Sequence, residues 1–453
     1  MLNLKKLIQN DNTLSLAGNM SLSFWGLLSF FILTRSLGNH EFGIWVLFIT
    51  AGNMIEMFRS GLTSTALIRF LSGAEGEERE SLIGSNWLIG LNITVVLSII
   101  IVISNLIFGH HFDKSGWGLF FMWYPVLAIM NLPFNNAITV LQADQKFGKI
   151  LFIRTISSGG FVLFLLVNYF YLHFGLMPIL YFYLIINIFT SLFTIILKWD
   201  GLKYLSKSNK LMTQKLIDFG KYTMGTLLGS NLLKSADTFI ISLSPFLGPT
   251  GVAYFSVPLK LTELLEVPLR SFLATAYPKM SKASIKNDVK EVARIFYSYT
   301  GVLTYMFLGF AILAFIFADF FVYFLGGKGY IGLGPVYQMF VIYGLLLPLD
   351  RFTGVTLDSI NKPRQNFFKV IFMVVANIIG DCIAVFVIPI FYPGVSMIHQ
   401  LMMVAGATII MTIIGIIIGF HFVKRDVPIR FNDIFTKGIE SYGELFSSLN
   451  LKK

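Results

Sequence analysis

Cysteine and charge are both scarce in this sequence. The single cysteine, Cys382, lies in an apolar segment, which excludes an intrachain disulfide and a cysteine-based metal site. Only 13% of the 453 residues are charged. The sequence also lacks a phosphate-loop lysine motif, a zinc-ligand spacing and a nucleophile elbow. We therefore predict a protein that is not an enzyme, with no catalytic residue, no metal site and no resident cofactor.

Apolar residues dominate the rest of the composition. Hydrophobic residues make up 55% of the chain, including 46 Phe. Apolar stretches long enough to cross a bilayer recur along its length, which predicts an all-α polytopic membrane protein with about twelve transmembrane helices. The predicted spans lie at residues 14–34, 42–67, 83–108, 117–141, 151–172, 176–198, 217–243, 251–276, 296–325, 333–358, 366–390 and 395–423.

Basic residues are distributed very unevenly between the two sides of these spans. The N-terminus, the C-terminal tail and the alternate loops contain 27 of the 35 Lys and Arg residues, whereas the opposite loops contain three. By the positive-inside rule, both termini are predicted to be cytoplasmic. The formal net charge of +11 is explained by this topology and by attraction to anionic membrane lipid, so we expect no nucleic-acid partner.

The two halves of the chain repeat. Leu37-Gly38 matches Leu247-Gly248 at an offset of 210, and Leu132-Pro133 matches Leu347-Pro348 at an offset of 215. A near-constant offset indicates a duplicated six-helix unit, and because six is even the two copies share one orientation in the membrane. We predict an N-terminal lobe at 1–198, a cytoplasmic linker at 199–216 and a C-terminal lobe at 217–423.

A polar tail follows at 424–453 and is too polar to span a membrane. Its apolar residues fall within about 140° of a helical wheel, which predicts a cytoplasmic amphipathic helix. Such a helix could lie on the membrane surface or dock on the protein's own loops. The apolar residues are Ile434, Phe435, Ile439, Tyr442, Leu445, Phe446 and Leu449.

The eighth predicted span carries four charges on one face. Lys260, Glu263, Glu266 and Arg270 fall within about 120° of a helical wheel. Four central charges cost roughly 10–14 kcal/mol on an insertion scale, and the apolar neighbours return about 5 kcal/mol at most. This face must therefore point to a protein interior or a wet cavity, where intramembrane charge usually marks function. Pro258 and Pro268 flank it, and each can kink the helix.

Further charges lie on other spans, and they admit two interpretations. They could be local ion pairs three or four residues apart, such as Glu56 with Arg59 and Lys234 with Asp237. A central cavity that needs both signs of charge explains the set better, because so many buried ion pairs would cost too much desolvation energy if they only held the fold together. The candidate substrate-binding residues are Arg59, Lys234, Lys260 and Arg270, and the candidate acidic cavity or ion-coupling residues are Glu56, Asp237, Glu263, Glu266 and Asp381.

The architecture and several loose motifs resemble a known family. The segment Arg35–Trp45 after the first span, the Gln142–Lys149 turn and Asn361-Lys362-Pro363 are similar to those of the Wzx-type O-antigen flippases. These belong to the multidrug/oligosaccharidyl-lipid/polysaccharide (MOP) superfamily. The resemblance covers about residues 1–423. It implies V-shaped, MATE-like lobes and a central cavity built from the first, second, seventh and eighth helices.

The resemblance also implies a function. The expected substrate is an undecaprenyl-pyrophosphate-linked oligosaccharide, moved across the bacterial inner membrane for O-antigen, lipopolysaccharide or capsule synthesis, with other polysaccharide-assembly proteins as possible partners. A cation-coupled multidrug antiporter of the same superfamily is the alternative, although an amphipathic cation gives little reason to bury basic residues. A membrane-bound glycan polymerase or transferase is disfavoured, because the chain has no large catalytic loop.

Energy coupling is the least constrained property. Without a nucleotide motif, directional transport would depend on a Na⁺ or H⁺ gradient, the membrane potential or consumption of the product. A coupling carboxylate should be buried and poor in basic neighbours, which favours Glu56 and Asp381. Between them we favour Glu56, because its repeat partner is Glu266.

Overall fold

The computed structural model describes residues 11–450, with side chains described except at 11–17, 19, 222, 223, 226, 230 and 441–450. Within this part of the chain the secondary structure is helical, with no strand. Fifteen helices follow one another through short connections. Those of the first half are α1 (Asp11–Ser36), α2 (Asn39–Leu71), α3 (Gly76–Lys114), α4 (Gly118–Ala143), α5 (Phe147–Leu172), α6 (Leu176–Ile196) and α7 (Lys210–Ser242).

The second half contains the eight remaining helices, and every predicted span coincides with one helix or with two consecutive ones. The all-α membrane fold predicted from the sequence is thus confirmed. These helices are α8 (Gly248–Glu263), α9 (Glu266–Ile285), α10 (Val289–Ile316), α11 (Ala318–Gly326), α12 (Gly334–Ser359), α13 (Pro363–Phe391), α14 (Met397–Val423) and α15 (Phe431–Asn450).

Nine of the described helices are long and apolar enough to cross a membrane by themselves: α2 to α6, α10, α12, α13 and α14. Helix α7 and the divided pair α8 and α9 are outside this group. These three helices carry six of the predicted site residues: Lys234, Asp237, Lys260, Glu263, Glu266 and Arg270. The sequence-predicted charges are therefore concentrated in helices that are less apolar than the nine spans.

The eighth predicted span is broken between Glu263 and Glu266. Pro268 has no N–H to donate to the carbonyl of Leu264, so the regular helical ladder cannot continue there. Leu265 instead donates its N–H to the Thr262 carbonyl at 3.0 Å, which tightens the turn. The break lies next to Pro268, whereas α8 runs without interruption through Pro258. This break places Glu266 in the first turn of α9, where the helix dipole favours an acidic side chain.

The chain divides into two compact units, and the division lies within α7. The first unit contains α1 to α6, α7 up to residue 231, and residues 248–253. Its core includes Trp45 of α2, which stacks on Phe161 at a centroid distance of 5.7 Å and meets Tyr183 edge-on at 5.4 Å. The second unit contains residues 232–247 and the chain from 254 onward, with Phe296, Phe340 and Phe352 fully buried.

The predicted linker at 199–216 is ordered against α3. The Trp87 indole donates to the Asp200 carbonyl at 2.8 Å, and the Asn209 amide donates to the Ser81 hydroxyl at 2.7 Å. Lys207 forms an ion pair with Glu80. The segment therefore packs as part of the first unit rather than as a free connection.

The tail forms the predicted helix, α15, and this helix packs on α10. Gly301 and Gly438 meet so closely that a Cβ built on either would lie within 2.7 Å of the other's backbone. The Tyr305 hydroxyl donates to the Phe435 carbonyl at 3.1 Å. Ile434 is fully buried, whereas Ile439 is 60% exposed. Tyr442, Leu445, Phe446 and Leu449 lie outside the described side chains.

Candidate functional site

The predicted charges of α2 lie inside the first unit and are fully engaged by protein. Arg59 is 5% exposed and forms an ion pair with Glu56. Its guanidinium also donates to the Thr94 hydroxyl at 3.1 Å and to the Ala128 carbonyl at 2.9 Å. The Asn135 amide donates to the same Glu56 carboxylate at 2.8 Å.

Through these contacts Arg59 links α2 to α3 and α4. Its donors point at protein acceptors on all three helices, which is how a buried guanidinium is normally satisfied. The local Glu56–Arg59 pairing suggested by their spacing is present in the structure. The predicted roles of Arg59 in substrate binding and of Glu56 in coupling stay predictions.

The predicted charges of α7 and α9 converge on one carboxylate in the second unit. Lys234 donates to both oxygens of Glu266, at 3.1 and 2.8 Å. Arg270 donates to Glu266 at 2.6 Å, and Arg351 of α12 lies 3.6 Å from it. We call these four residues the Glu266 cluster.

The Glu266 cluster has three cations for one anion. The Glu266 side chain is only 10% exposed, whereas the Lys234 and Arg270 side chains are 42% and 71% exposed. The acid is therefore buried beneath the bases, and the accessible surface of the cluster is positive. A positive, partly desolvated surface with arginine donors suits a phosphate or pyrophosphate group.

Lys260 and Glu263 lie at the end of α8, just before the break. They form their own ion pair at 2.9 Å, with side chains 32% and 43% exposed. An exposed pair of this kind contributes little to stability, about 1 kcal/mol or less. Although the sequence places Glu263 and Glu266 on one helical face, the break gives them separate partners.

Asp237 lies three residues after Lys234 but is paired elsewhere. The Asn377 amide of α13 donates to Asp237 and, at 3.0 Å, to Asp381. The Thr408 hydroxyl of α14 donates to Asp237 at 3.1 Å. All four side chains are buried, and the two acids are 4% and 0% exposed. We call Asp237, Asn377, Asp381 and Thr408 the carboxyl pair site.

The carboxyl pair site has unused oxygen atoms. Among the described residues, Oδ1 of Asn377 and Oδ1 of Asp381 have no hydrogen-bond donor, although both are buried. The described side chains place no lysine or arginine in ion-pair contact with either aspartate. Buried oxygen atoms without donors are costly, and a hard cation or a proton is what would satisfy them.

The two sites of the second unit share a small cavity. Its volume is about 40 Å³, which leaves room for a water molecule or a bare cation but not for a sugar. Its lining includes Asp237 and Thr408 of the carboxyl pair site, Lys234, Glu266 and Arg351 of the Glu266 cluster, and Glu263. The two sites therefore adjoin the same cavity.

A second buried ion pair escaped the sequence analysis. Lys369 is one of the 27 basic residues that the sequence analysis assigns to the cytoplasmic side of the spans, but it lies in α13 and is 3% exposed. Its ammonium is 2.6 Å from the Asp350 carboxylate and also donates to the Asp350 carbonyl and the Thr353 hydroxyl. The number of Lys and Arg residues on the predicted cytoplasmic side falls by one, and it still greatly exceeds the number in the opposite loops.

Arg351 is the other residue that sequence reasoning left out of the site. From the sequence alone, its neighbour Asp350 is the obvious ion-pair partner, and no pattern indicates that α12 packs beside α9. Gly344, two turns before Arg351 on α12, allows this approach, because a Cβ there would lie 2.9 Å from Leu265. The residues 265 and 344 are too far apart in sequence for helical periodicity to connect them.

One family model and several solved structures match this chain. A family model described as "Polysaccharide biosynthesis protein" matches residues 10–284, more than half of the chain. A search of curated proteins found no match.

Several solved structures share the fold. An inward-facing multidrug resistance MATE transporter of the MOP superfamily has a TM-score of 0.72 at 14% identity, covering 89% of this chain and 95% of its own. The lipid II flippase MurJ, in an inward closed conformation, has a TM-score of 0.69 at 18% identity, covering 96% and 91%. A MOP-superfamily transporter from Pyrococcus furiosus, whose binding pocket is described as having reverse polarity, has a TM-score of 0.56 at 13% identity, covering 94% and 99%. At such identities the likeness concerns the fold, which is that of MOP-superfamily transporters and flippases, as predicted.

Proposed function

Because the chain belongs to the polysaccharide biosynthesis protein family, we propose that it is a flippase for an oligosaccharide linked to undecaprenyl through pyrophosphate. It would move this substrate from the cytoplasmic to the outer leaflet of a bacterial inner membrane, with both termini cytoplasmic. The product would serve assembly of a surface polysaccharide such as O-antigen or capsule. The membership itself makes the chain a multi-pass membrane protein of the transporter and flippase class, and not an enzyme.

One observation carries the choice of substrate: three basic side chains surround the single carboxylate of Glu266. A pyrophosphate brings at least two negative charges, which match the excess of positive charge in the cluster. Arg270 and Arg351 can each offer a bidentate fork to phosphate oxygens. Lys234 can follow the phosphates as a flexible point charge.

The same observation argues against the alternative of multidrug antiport. An amphipathic cation approaching the Glu266 cluster would meet the exposed Lys234 and Arg270 before the buried carboxylate of Glu266, and these bases would repel it. The fold does not separate the two functions, since both a MATE transporter and a flippase share it. The charge of the site favours the flippase.

We further propose that a monovalent cation, Na⁺ or H⁺, drives transport through the carboxyl pair site. Its candidate ligands are the oxygen atoms of Asp237, Asn377, Asp381 and Thr408, a donor set suited to a hard cation. The shared cavity supports a link between cation and substrate. A cation bound at Asp237 would neutralise this carboxylate and so weaken its attraction for the nearby bases of the Glu266 cluster. This assignment moves the coupling role from Glu56 to Asp237 and Asp381.

The substrate assignment is tested by transport in proteoliposomes with a fluorescent polyprenyl-pyrophosphate oligosaccharide. The double variant Arg270→Ala/Arg351→Ala should reduce flipping by at least about tenfold, because charge-assisted hydrogen bonds contribute roughly 1.5–3 kcal/mol each. Arg364→Ala is the matched control, because this arginine is exposed and contacts only the Phe368 ring among the described residues. Unchanged flipping by the double variant would refute the site.

The coupling assignment is tested by imposing Na⁺ or H⁺ gradients on the same vesicles. Asp381→Asn should remove the dependence on the gradient and any stabilisation of the protein by Na⁺ over K⁺. Asp218→Asn, which changes an exposed aspartate paired with Lys221, should keep both properties. If Asp381→Asn retains full gradient dependence and Glu56→Gln loses it, the original assignment to Glu56 is the correct one.

A further inference from the structure

A deep groove lies between α9 and α10, away from both sites described above. Its volume is about 730 Å³. The face of α9 that lines it is formed by residues 271, 275, 279, 282 and 286, which fall within about 80° of one another on a helical wheel. Glu266 and Arg270 lie outside that sector, so the groove is a separate surface from the Glu266 cluster.

The rim of the groove has four basic and two acidic side chains. Lys279 and Lys282 lie on α9, Lys286 directly follows its last residue, and Asp288, Glu291 and Arg294 lie at the start of α10. Arg294 is engaged by Glu291 in a bidentate ion pair at 2.6 and 2.7 Å. Asp288 caps α10 by accepting the N–H of Glu291.

Lys282 and Lys286 have no such acidic partner. The described part of the chain places no carboxylate in ion-pair contact with Lys282 or Lys286, and both are exposed. They are four residues apart on one helix face, so their Cβ atoms lie roughly 5–6 Å from each other. Two uncompensated ammonium groups at that spacing repel each other and favour a shared anion.

The walls of the groove below this rim are apolar. Phe272 and Tyr299 face each other edge-on at a centroid distance of 6.0 Å, and Ile295 and Val302 complete the wall. The Tyr299 hydroxyl accepts a hydrogen bond from Lys279 at 2.6 Å, which marks the border between the polar and apolar parts. A ligand that fits must therefore carry an anion at one end and hydrocarbon at the other.

We propose that this groove binds an anionic phospholipid of the leaflet on the lysine-rich side of the protein. The headgroup phosphate lies between Lys282 and Lys286, and an acyl chain runs along Phe272 and Val302. Basic pockets between transmembrane helices on that side are suited to anionic headgroups.

The test uses the full-length protein in nanodiscs of phosphatidylcholine, with or without phosphatidylglycerol, and counts retained lipid by native mass spectrometry. The wild type should retain phosphatidylglycerol in preference to phosphatidylcholine. Lys282→Gln/Lys286→Gln should lose this preference by about tenfold or more, given the contribution of each basic residue to binding anionic lipid. The arginine variant Lys282→Arg/Lys286→Arg should retain it, which excludes misfolding as the cause.

A matched control removes two lysines from elsewhere on the same predicted side. Lys203→Gln/Lys210→Gln changes exposed residues outside the groove and should keep the wild-type preference. Equal loss in both glutamine variants would mean that general surface charge holds the lipid, and the proposal would be wrong. It would also be wrong if inorganic pyrophosphate displaced the bound lipid at concentrations at which inorganic phosphate had no effect, because that would identify a pyrophosphate site.

Discussion

Lys234 donates to both oxygens of Glu266, 32 residues along the chain, and not to Asp237, one turn along its own helix. This exchange of partners separates the charges of the second unit into two sites. The bases gather around Glu266, and Asp237 is left to form a carboxyl pair with Asp381. If Lys234 had paired with Asp237 instead, these two charges would have neutralised each other, and neither site would have its present charge.

The Glu266 cluster predicts a contrast between two neighbouring glutamates. Glu266→Gln should lower the free energy of unfolding by about 1–3 kcal/mol, because it removes the carboxylate that Lys234 and Arg270 share and leaves Arg351 with Asp350 alone. Glu263→Gln should change it by about 0.5 kcal/mol or less, since Glu263 is 43% exposed and has one exposed partner. Thermal unfolding in detergent measures both, and equal effects would contradict the arrangement.

The turn after α4 predicts a pH dependence of stability. Partial burial alone would raise the pKa of Asp144, but hydrogen bonds from Lys146 and Arg79, at 2.8 and 2.7 Å, outweigh it and lower that pKa. A lowered pKa in the folded state stabilises the protein above the ordinary pKa of aspartate, and this stability is lost as the pH falls through the lowered value. Asp144→Asn should therefore cost up to about 1 kcal/mol at neutral pH and nothing in strong acid.

The partners of Asp144 provide the control for this prediction. Arg79→Met/Lys146→Met removes the same hydrogen bonds from the other side and should reproduce the pH profile of Asp144→Asn. Unfolding curves collected from neutral pH down to pH values below the aspartate range compare the three proteins. A constant difference between Asp144→Asn and the wild type at all pH values would show that the carboxylate charge is not responsible.

The contact between α10 and α15 predicts that the tail helix cannot tolerate a side chain at its crossing point. A Cβ at Gly438 would lie 2.7 Å from Cα of Gly301, so Gly438→Leu should displace the tail helix. The displacement should expose α15 to protease, seen as faster cleavage after Lys437. Ile439→Ala, which changes an exposed neighbour, should leave cleavage unchanged. Cleavage at the wild-type rate in Gly438→Leu would mean that the tail is held elsewhere.

The basic-residue asymmetry predicts the membrane topology. In a Cys382→Ser background, a cysteine introduced by Ser206→Cys should react only with reagents that reach the cytoplasm. One introduced by Lys114→Cys, at the far end of α3, should react with impermeant reagents added outside. The reverse pattern would overturn the predicted orientation.

Much of the fold was predictable because it depends on local properties of the chain. Apolar length identifies spanning helices one at a time, and a proline acts on its own helix, so the break next to Pro268 in the eighth span could be anticipated from sequence. The repeat between Leu37-Gly38 and Leu247-Gly248 needed only a comparison of the chain with itself. Lys369 is the exception, since its proximity to Lys362 and Arg364 suggested a loop, whereas Asp350 holds it inside the second unit.

The sequence by itself determined the helical membrane architecture, the charged residues that had to avoid lipid, and the family to which they point. Only the tertiary structure decided which charges meet. Helical spacing can propose partners three or four residues apart, but the Glu266 cluster joins α7, α9 and α12, and the carboxyl pair site joins α7, α13 and α14. Those partners are chosen by helix packing, through close approaches such as that of Leu265 to Gly344, and packing is not a property of any single segment.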